Sequence, residues 1–282
     1  MAPIRLDGKL LSECIMDQIA EELSKVSFKP TLAVIRIGDD DASNVYINSK
    51  KKDCSRCGIN FQEYTFNTNV TMQELSTLIE KLNQDFNVRG IMIERPLPKS
   101  IDEAWIMSRI NPFKDVDSMT NNNIGQTARG EELITPCTPT GIMLLLQANN
   151  ISLVGKHCVI VGRSSSVGRP LMSMLINRHA TVTCCHSHTA NIDQITRHAD
   201  IVISAVGKPN FITADMVREG AILIDVGMNR DANGKLCGDI SEEANAKSSY
   251  YTPVPGGVGP MTRAALMGNI ALSTYCVYDK NK

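Results

Sequence analysis

"HCVIVGRSSSVGRP", residues 157–170, decides the fold: an apolar run of strand character ends at a glycine, and a polar loop then opens a helical pattern. In that order Gly162 stands where the chain turns tightly, so that backbone amides can approach a pyrophosphate held at the helix N-terminus. The usual G-x-G-x-x-G spacing is not met, because Ser164 takes the second glycine place and Gly168 comes one residue late. As a bare pattern, a structural strand-turn-helix accounts for the stretch as well as a dinucleotide loop does.

The surrounding sequence separates the two readings. "TVTCCH" (181–186), "IVISAVG" (201–207) and "AILIDVG" (221–227) follow as apolar runs with helical patterns between them. Such a series makes a doubly wound dinucleotide domain. Upstream, "TLAVIRIG" (31–38), "FQEYTF" (61–66) and "RGIMIER" (89–95) read as strands. Acidic Asp39 to Asp41 lead from the first into a helix from about Ala42, which Gly58 stops. Met72, Leu75, Leu78, Ile79, Leu82 and Phe86 then recur at helical spacing. This β-α-β-α-β order implies a second parallel sheet with helices on its faces.

Between the two series lies a stretch read as loop (111–132) and a helix near 139–149; after them come "NRDANGKL", whose Asn-Gly suits a hairpin, "PVPGGVGPMT", and a last helix from Thr262. The chain is therefore read as α/β, with two α/β domains. One covers residues 1–138 and is completed by a C-terminal helix over 262–282; the other is a Rossmann-type domain over 139–261.

The 282 residues carry a net charge of −1, with no long basic stretch, which argues against a nucleic-acid partner. No run approaches the roughly 18 apolar residues of a membrane span, and "MAPIRLDGKLLSEC" is neither a signal nor a transit peptide. Nine cysteines without framework spacing fit a reducing compartment, hence a cytoplasmic protein. "CSRC" (Cys54, Cys57) lacks a second pair for zinc and sits at a predicted helix end, not the start a redox motif needs, so both cysteines are read as packing.

NAD-specific sites place an acid about twenty residues beyond the glycine turn. Here the second strand ends in "CCHSHTAN", with no acid before Asp193, while Arg163 and Ser187 can donate to a ribose phosphate. The cofactor is therefore NADP, for arginine presents a forked, permanently charged donor. His186 and His188 are read as polar loop residues rather than metal ligands.

In "NVYINSKKKDC" (44–54), Tyr46 and Lys50 stand four apart and share a helix face; Lys51 and Lys52 turn away toward water. Spacing alone leaves open whether Lys50 acts or merely faces solvent. "ASNVYINSKKKDCSRCGI", "GIMIERPLP", "KDVDSM", "PCTPTGI", "GRSSSVGRP", "CHSHT", "SAVGKP", "DVGMNR" and "PVPGGVGPMT" occur together in one order. Along nearly its whole length the chain resembles the bifunctional methylenetetrahydrofolate dehydrogenase/methenyltetrahydrofolate cyclohydrolase family.

The resemblance implies a folate site in a cleft between the domains, with Tyr46 stacked on the pterin, Lys50 as the catalytic lysine and Asp117 binding the pterin's amino and ring nitrogens. It places Ile93, Glu94, Arg95 and the loop Pro255, Gly256, Gly257, Val258 and Gly259 against the substrate. Gly162, Arg163, Ser164, Ser187 and Met228 match the family's NADP contacts. No metal is implied, and a homodimer through the dinucleotide domain is. The implied activity is NADP-dependent oxidation of 5,10-methylenetetrahydrofolate followed by hydrolysis to 10-formyltetrahydrofolate. The alternatives are a dehydrogenase-only member of the family and, leaving some matched segments unexplained, a dehydrogenase of shikimate- or amino-acid-like substrates or a silent folate- or dinucleotide-binding protein.

The chain departs from the family at Glu94, where glutamine is usual, and at Arg95, where an apolar residue is. Either Glu94 merely pairs with Arg95, or it faces Lys50; in the second case a carboxylate favours the ammonium form and weakens the water-adding step. Ser118 and Met119 replace a glycine and a larger residue, a change expected to loosen the pterin loop.

Overall fold

The computed structural model describes residues 2–38 and 41–278, so Asp39, Asp40 and residues 279–282 of the anticipated last helix lie outside the described residues. The first half runs β1 (Ile4–Arg5), α1 (Gly8–Ser24), β2 (Thr31–Ile37), α2 (Asp41–Arg56), β3 (Asn60–Phe66), α3 (Met72–Gln84), β4 (Val88–Ile93), α4 (Glu103–Met107), α5 (Asn121–Arg129) and α6 (Cys137–Ala148). The second runs β5 (His157–Val161), α7 (Gly168–Ile176), β6 (Thr181–Cys185), α8 (Ile192–Thr196), β7 (Ile201–Ser204), β8 (Ile222–Asp225), β9 (Asn229–Arg230), β10 (Leu236–Cys237), α9 (Glu242–Lys247), β11 (Tyr250–Tyr251) and α10 (Val258–Tyr278).

These elements form two compact units. One comprises Met1–Ser12, Thr127–Gly130 and Thr138–Thr262; the other comprises Glu13–Gln126, Glu131–Cys137 and Arg263–Lys282. The first twelve residues depart from the boundary expected of them, because Ile4 and Arg5 pair in parallel with Tyr250 and Tyr251 of the six-stranded sheet.

The unit built around Glu13–Gln126 holds a parallel sheet in the order β3-β2-β4. Central β2 is buried from Thr31 to Arg36, as suits a strand covered on both faces. Ala33 and Ile35 join Leu75, Ile79 and Leu82 of α3 on one side. Leu32 and Val34 join Cys54 of α2, Cys57 just past its end, and Met267 and Ile270 of α10 on the other. A capping box starts α3: Thr71 Oγ1 accepts from Glu74 N at 3.2 Å, and Glu74 Oε2 accepts from Thr71 N at 2.8 Å. Its C-terminal carbonyls are closed by buried Lys114, whose Nζ donates to Leu82 O, Asn83 O and Asp85 O at 2.9, 2.7 and 2.7 Å.

The stretch 111–132, read as loop, contains α5. Three asparagines and a glycine give it low helix propensity, and tertiary bonds hold it instead: buried Asn123 donates to Pro112 O at 2.9 Å and to Asp115 Oδ2 at 3.1 Å.

In the other unit the six strands run β1-β11-β8-β7-β5-β6, all parallel. Strand order reverses between β5 and β7, the place where doubly wound sheets bind dinucleotides. Two buried carboxylates tie the loops beyond β7 and β8. Asp239 accepts from Val206 N at 2.8 Å, Lys208 N at 2.9 Å, Asn229 Nδ2 at 2.9 Å and Ser204 Oγ at 3.1 Å. Asp225 accepts from Gly227 N, Asp239 N and Ile240 N at 2.9, 2.9 and 2.8 Å.

Asn233-Gly234 lies in the β9–β10 hairpin as expected, with Gly234 at φ +78° inside a loop closed by Asp231 N to Lys235 O at 2.9 Å. Helix α10 begins at Val258 rather than Thr262, since Pro260 falls in the first turn, where its missing N–H costs nothing.

Candidate active site and dinucleotide loop

Lys50, on α2, ends in an ion pair. Its Nζ donates to Glu94 Oε1, with the two side chains 11% and 13% exposed. Glu94 is the first residue beyond β4, and its amide is fixed by Ile35 O of β2 at 2.9 Å. Arg95 points elsewhere, as adjacent residues of an extended segment do: Nη2 lies 3.6 Å from Asp117 Oδ2, and Nη1 3.8 Å from Glu103 Oε1. The simple Glu94–Arg95 pairing is therefore not what forms.

The three lysines differ. Lys51, expected to face water, reaches Glu63 Oε2 of β3 at 2.7 Å and lies over the Phe61 ring at 5.4 Å. Strand β3 runs beside β2 and offers that acid within a lysine's reach. Lys52 is exposed. Tyr46, one turn ahead of Lys50, is 48% exposed.

Lys114 and Asp115 hold the segment carrying Asp117. The Asp115 carboxylate is fully engaged, accepting from Met119 N at 3.0 Å, Thr120 N at 2.7 Å and Asn123 Nδ2. Burial pushes the Asp117 carboxyl above the usual carboxylate range; Arg95 pulls it back, Asp115 adds to the rise, and Lys50 and a Cys137 hydrogen bond oppose it. The Cys137 thiol, buried at the start of α6, is itself held well above the ordinary thiol range by burial and by Asp117. No spacing in the sequence connects Cys137 to Asp117, so only the fold reveals their contact.

Ser118 does not loosen this segment. It adopts φ +56° and is fully buried, and its Oγ donates to Ile134 O at 2.9 Å. The hydroxyl gains a partner that offsets the cost of a left-handed conformation. Ile93 is buried in the core beside Ile35 and Ile91, which leaves its side chain to packing. Cys54 and Cys57 also pack: burial pushes their thiols up to about 12 and about 11. Thiols so placed stay protonated.

In the six-stranded unit, Gly162 has φ +125°, and a Cβ there would lie 2.4 Å from Ala205 O. A Cβ at Gly168 would lie 2.0 Å from Gly162 O. Two glycines thus suffice, and the missing middle one is replaced by a cap: Ser164 Oγ accepts from Val167 N at 3.2 Å and Gly168 N at 3.4 Å. The close backbone approach at these two glycines is the feature a pyrophosphate loop requires.

Arg163 is exposed at the end of β5, and Ser187 is exposed in the turn after β6. Arg163 and Arg169 both lower the Cys184 thiol against the larger effect of burial, so two guanidinium charges act on that strand end. Asp193 pairs with Arg197 at 3.9 Å within α8. His188 N donates to His186 Nδ1 at 3.2 Å, a turn contact. Met228 is 53% exposed just beyond β8.

Pro255 precedes three glycines of unequal need. Gly256 has φ +108°, and a Cβ at Gly257 would stand 2.6 Å from Pro253 O. A Cβ at Gly259 would meet nothing within 4 Å, so packing within the chain does not demand that glycine. Val258 is buried and opens α10. Among the described residues no helix is long and apolar enough to cross a membrane, and no group of three His, Cys, Asp or Glu side chains could hold a metal.

The profile of the tetrahydrofolate dehydrogenase/cyclohydrolase catalytic domain matches residues 6–117, and that of the same family's NAD(P)-binding domain matches residues 136–276. The bifunctional protein FolD of Bacillus licheniformis is 50% identical over 272 residues, covering 95% of this chain and 96% of its own. The crystal structure of the bifunctional FolD methylenetetrahydrofolate dehydrogenase/cyclohydrolase of Campylobacter jejuni superposes with a TM-score of 0.96 at 46% identity, over 98% of this chain and 100% of that one. The Trypanosoma brucei enzyme, solved with NADP cofactor and inhibitor, gives 0.92 at 33% identity over 98% and 99%.

Proposed function

The chain belongs to the tetrahydrofolate dehydrogenase/cyclohydrolase family, and on that premise we propose how its residues divide the family's two reactions. It is an NADP-dependent 5,10-methylenetetrahydrofolate dehydrogenase and 5,10-methenyltetrahydrofolate cyclohydrolase. NADP, when bound, supplies the hydride acceptor. Gly162, Ser164 and the amides of their loop hold its pyrophosphate, Arg163 and Ser187 its ribose phosphate, and Met228 lies against it.

The observation that carries the assignment of roles is the Lys50–Glu94 pair, with Asp117 and Arg95 beside it. Tyr46 offers its ring to the pterin, and Asp117 accepts from the pterin's amino and ring N–H groups, a two-point recognition suited to a carboxylate. Residues 255–259 lie against the folate by backbone; at Gly259 the unfilled space supports that reading. Hydride transfer needs positioning above all. Water addition to the methenyl cation needs proton transfers, and these fall to Lys50. Glu94 takes a hydrogen bond from Lys50 Nζ, and this contact competes with the lysine's part in the water step and weakens the cyclohydrolase.

Apart from the first twelve residues, which belong with the six-stranded sheet, residues up to 138 with the last helix are read as the folate domain and 139–261 as the NADP domain. The chain is read as a cytoplasmic homodimer; nine free thiols favour a reducing compartment. Sedimentation would test the dimer.

Following NADPH and methenyltetrahydrofolate separately tests the roles. Lys50→Met is expected to abolish cyclohydrolase turnover and retain much of the dehydrogenase. Equal loss of both, with folate affinity unchanged, would overturn the lysine's assignment.

A further inference from the structure

Arg95 is a cation that neither reaction requires, yet it lies against the carboxylate assigned to the pterin. Its two terminal nitrogens are held apart, one 3.6 Å from Asp117 and the other 3.8 Å from Glu103 of α4. At those separations the guanidinium balances charge without occupying lone pairs, since a hydrogen bond needs about 2.7–3.2 Å. Asp115 shows the alternative: three donors within hydrogen-bonding distance engage its oxygens, and it is buried away from any ligand.

Two parallel N–H donors on a pterin edge need both carboxylate oxygens as acceptors. A protonated carboxyl turns a donor toward one of them. We infer that Arg95 is a positioning residue for folate: it is the counter-ion that keeps Asp117 a two-point acceptor without itself taking a hydrogen-bonding position on either oxygen. The inference rests on the assignment of Asp117 to the pterin.

The charges around Asp117 leave this task to Arg95. Asp115, two residues back, is an anion and opposes ionisation; the Cys137 thiol is neutral; Lys50, on α2, is bound to Glu94; Glu103 reaches Asp117 only through Arg95. Burial favours the neutral acid, and Arg95 is the largest opposing influence.

The test compares the unmodified enzyme with Arg95→Leu, Arg95→Lys, Asp117→Asn and the Arg95→Leu/Asp117→Asn pair, measuring KM for methylenetetrahydrofolate, kcat and KM for NADP between pH 5.5 and 8.5. Arg95→Leu is expected to raise the folate KM about tenfold at the acid end, the effect of roughly one unit of titration, and progressively less toward the alkaline end. kcat and the NADP KM stay close to the parent values, and Arg95→Lys restores most of the loss. Once Asp117 is asparagine, Arg95→Leu has no further effect. A pH-independent change, or one that persists in the Asp117→Asn background, would overturn the inference.

A second measurement needs no substrate. The Asp117 side-chain carbon, followed by NMR in the free protein, should titrate at higher pH in Arg95→Leu than in the parent; an unmoved midpoint also overturns it. Absence of turnover in the unmodified enzyme would instead overturn the functional reading and leave this titration standing.

Discussion

Each unit holds a pair of carboxylates, Asp225 at the end of β8 with Asp239 bonded to it and Glu94 just beyond β4 with Asp117 against Arg95, and the two units use them in opposite ways. Asp225 and Asp239 are surrounded by amide donors, with Ser204 and Asn229 completing the set. Glu94 and Asp117 instead face Lys50 and Arg95, side chains on stems that can shift. A carboxylate satisfied by fixed amides is part of the scaffold, and no ligand can compete for it without breaking backbone bonds. One balanced by a side-chain cation can exchange that partner for a substrate. The loops holding Gly207 and Met228 are kept in shape by the first kind, and the second is the kind proposed to meet the folate.

Asp239→Ala should break this comparison most severely. It strips acceptors from several buried donors at once, a loss on the order of 3–5 kcal/mol, to be read from urea unfolding together with loss of NADP binding. A variant that unfolds with the parent's midpoint would show that the amides find other partners.

Asp225 sharpens it through pH. Burial outweighs its three amide donors and raises its carboxyl to about 6 from 3.8. A raised acid binds more protons folded than unfolded. Its contribution to stability is therefore full below about pH 4 and is lost as pH rises through about 6, on the order of 2–3 kcal/mol in all. Comparing unfolding midpoints of the parent and Asp225→Asn from pH 4 to 7 should show that slope only in the parent.

At the cofactor, Arg163→Ala removes a charge-assisted contact and should weaken NADP about ten- to a hundred-fold, while NAD changes little. Equal use of NAD and NADP by the parent would count against the phosphate role.

Glu94→Gln is expected to have the smallest effect. Glutamine keeps an acceptor for Lys50 Nζ in this largely buried pair, so stability should move by about 1 kcal/mol, and cyclohydrolase turnover near neutral pH should rise severalfold as the lysine loses its anionic partner. If the rate falls, the carboxylate itself serves the water step.

The apolar runs of β2, β5, β7 and β8 were legible because each is buried on both faces and bounded by glycines or polar turns. A Glu94 facing Lys50 was one of two readings and rested on the resemblance; the structure decides between them by bringing α2 against the end of β4. Strands β1 and β11 were not: two residues carry no periodicity, and their pairing depends on segments at opposite ends of the chain. Helix α5 was hidden by its asparagines, whose tertiary bonds override propensity. The meeting of Arg95 with Asp117, and of Cys137 with Asp117, depends on where loops fold, which no local pattern encodes.

The glycines of the dinucleotide loop constrain how such a loop can diverge. Gly168 is required by the carbonyl of Gly162, and Gly162 by the carbonyl of Ala205, whereas Ser164 need only present an oxygen to two amides. In a randomised library of residues 162–168 selected for dinucleotide retention, the outer positions should return glycine, and position 164 should drift among serine, threonine and aspartate. The signature that selection leaves is then a pair of glycines bracketing a variable interior, and a search that counts three glycines passes over it.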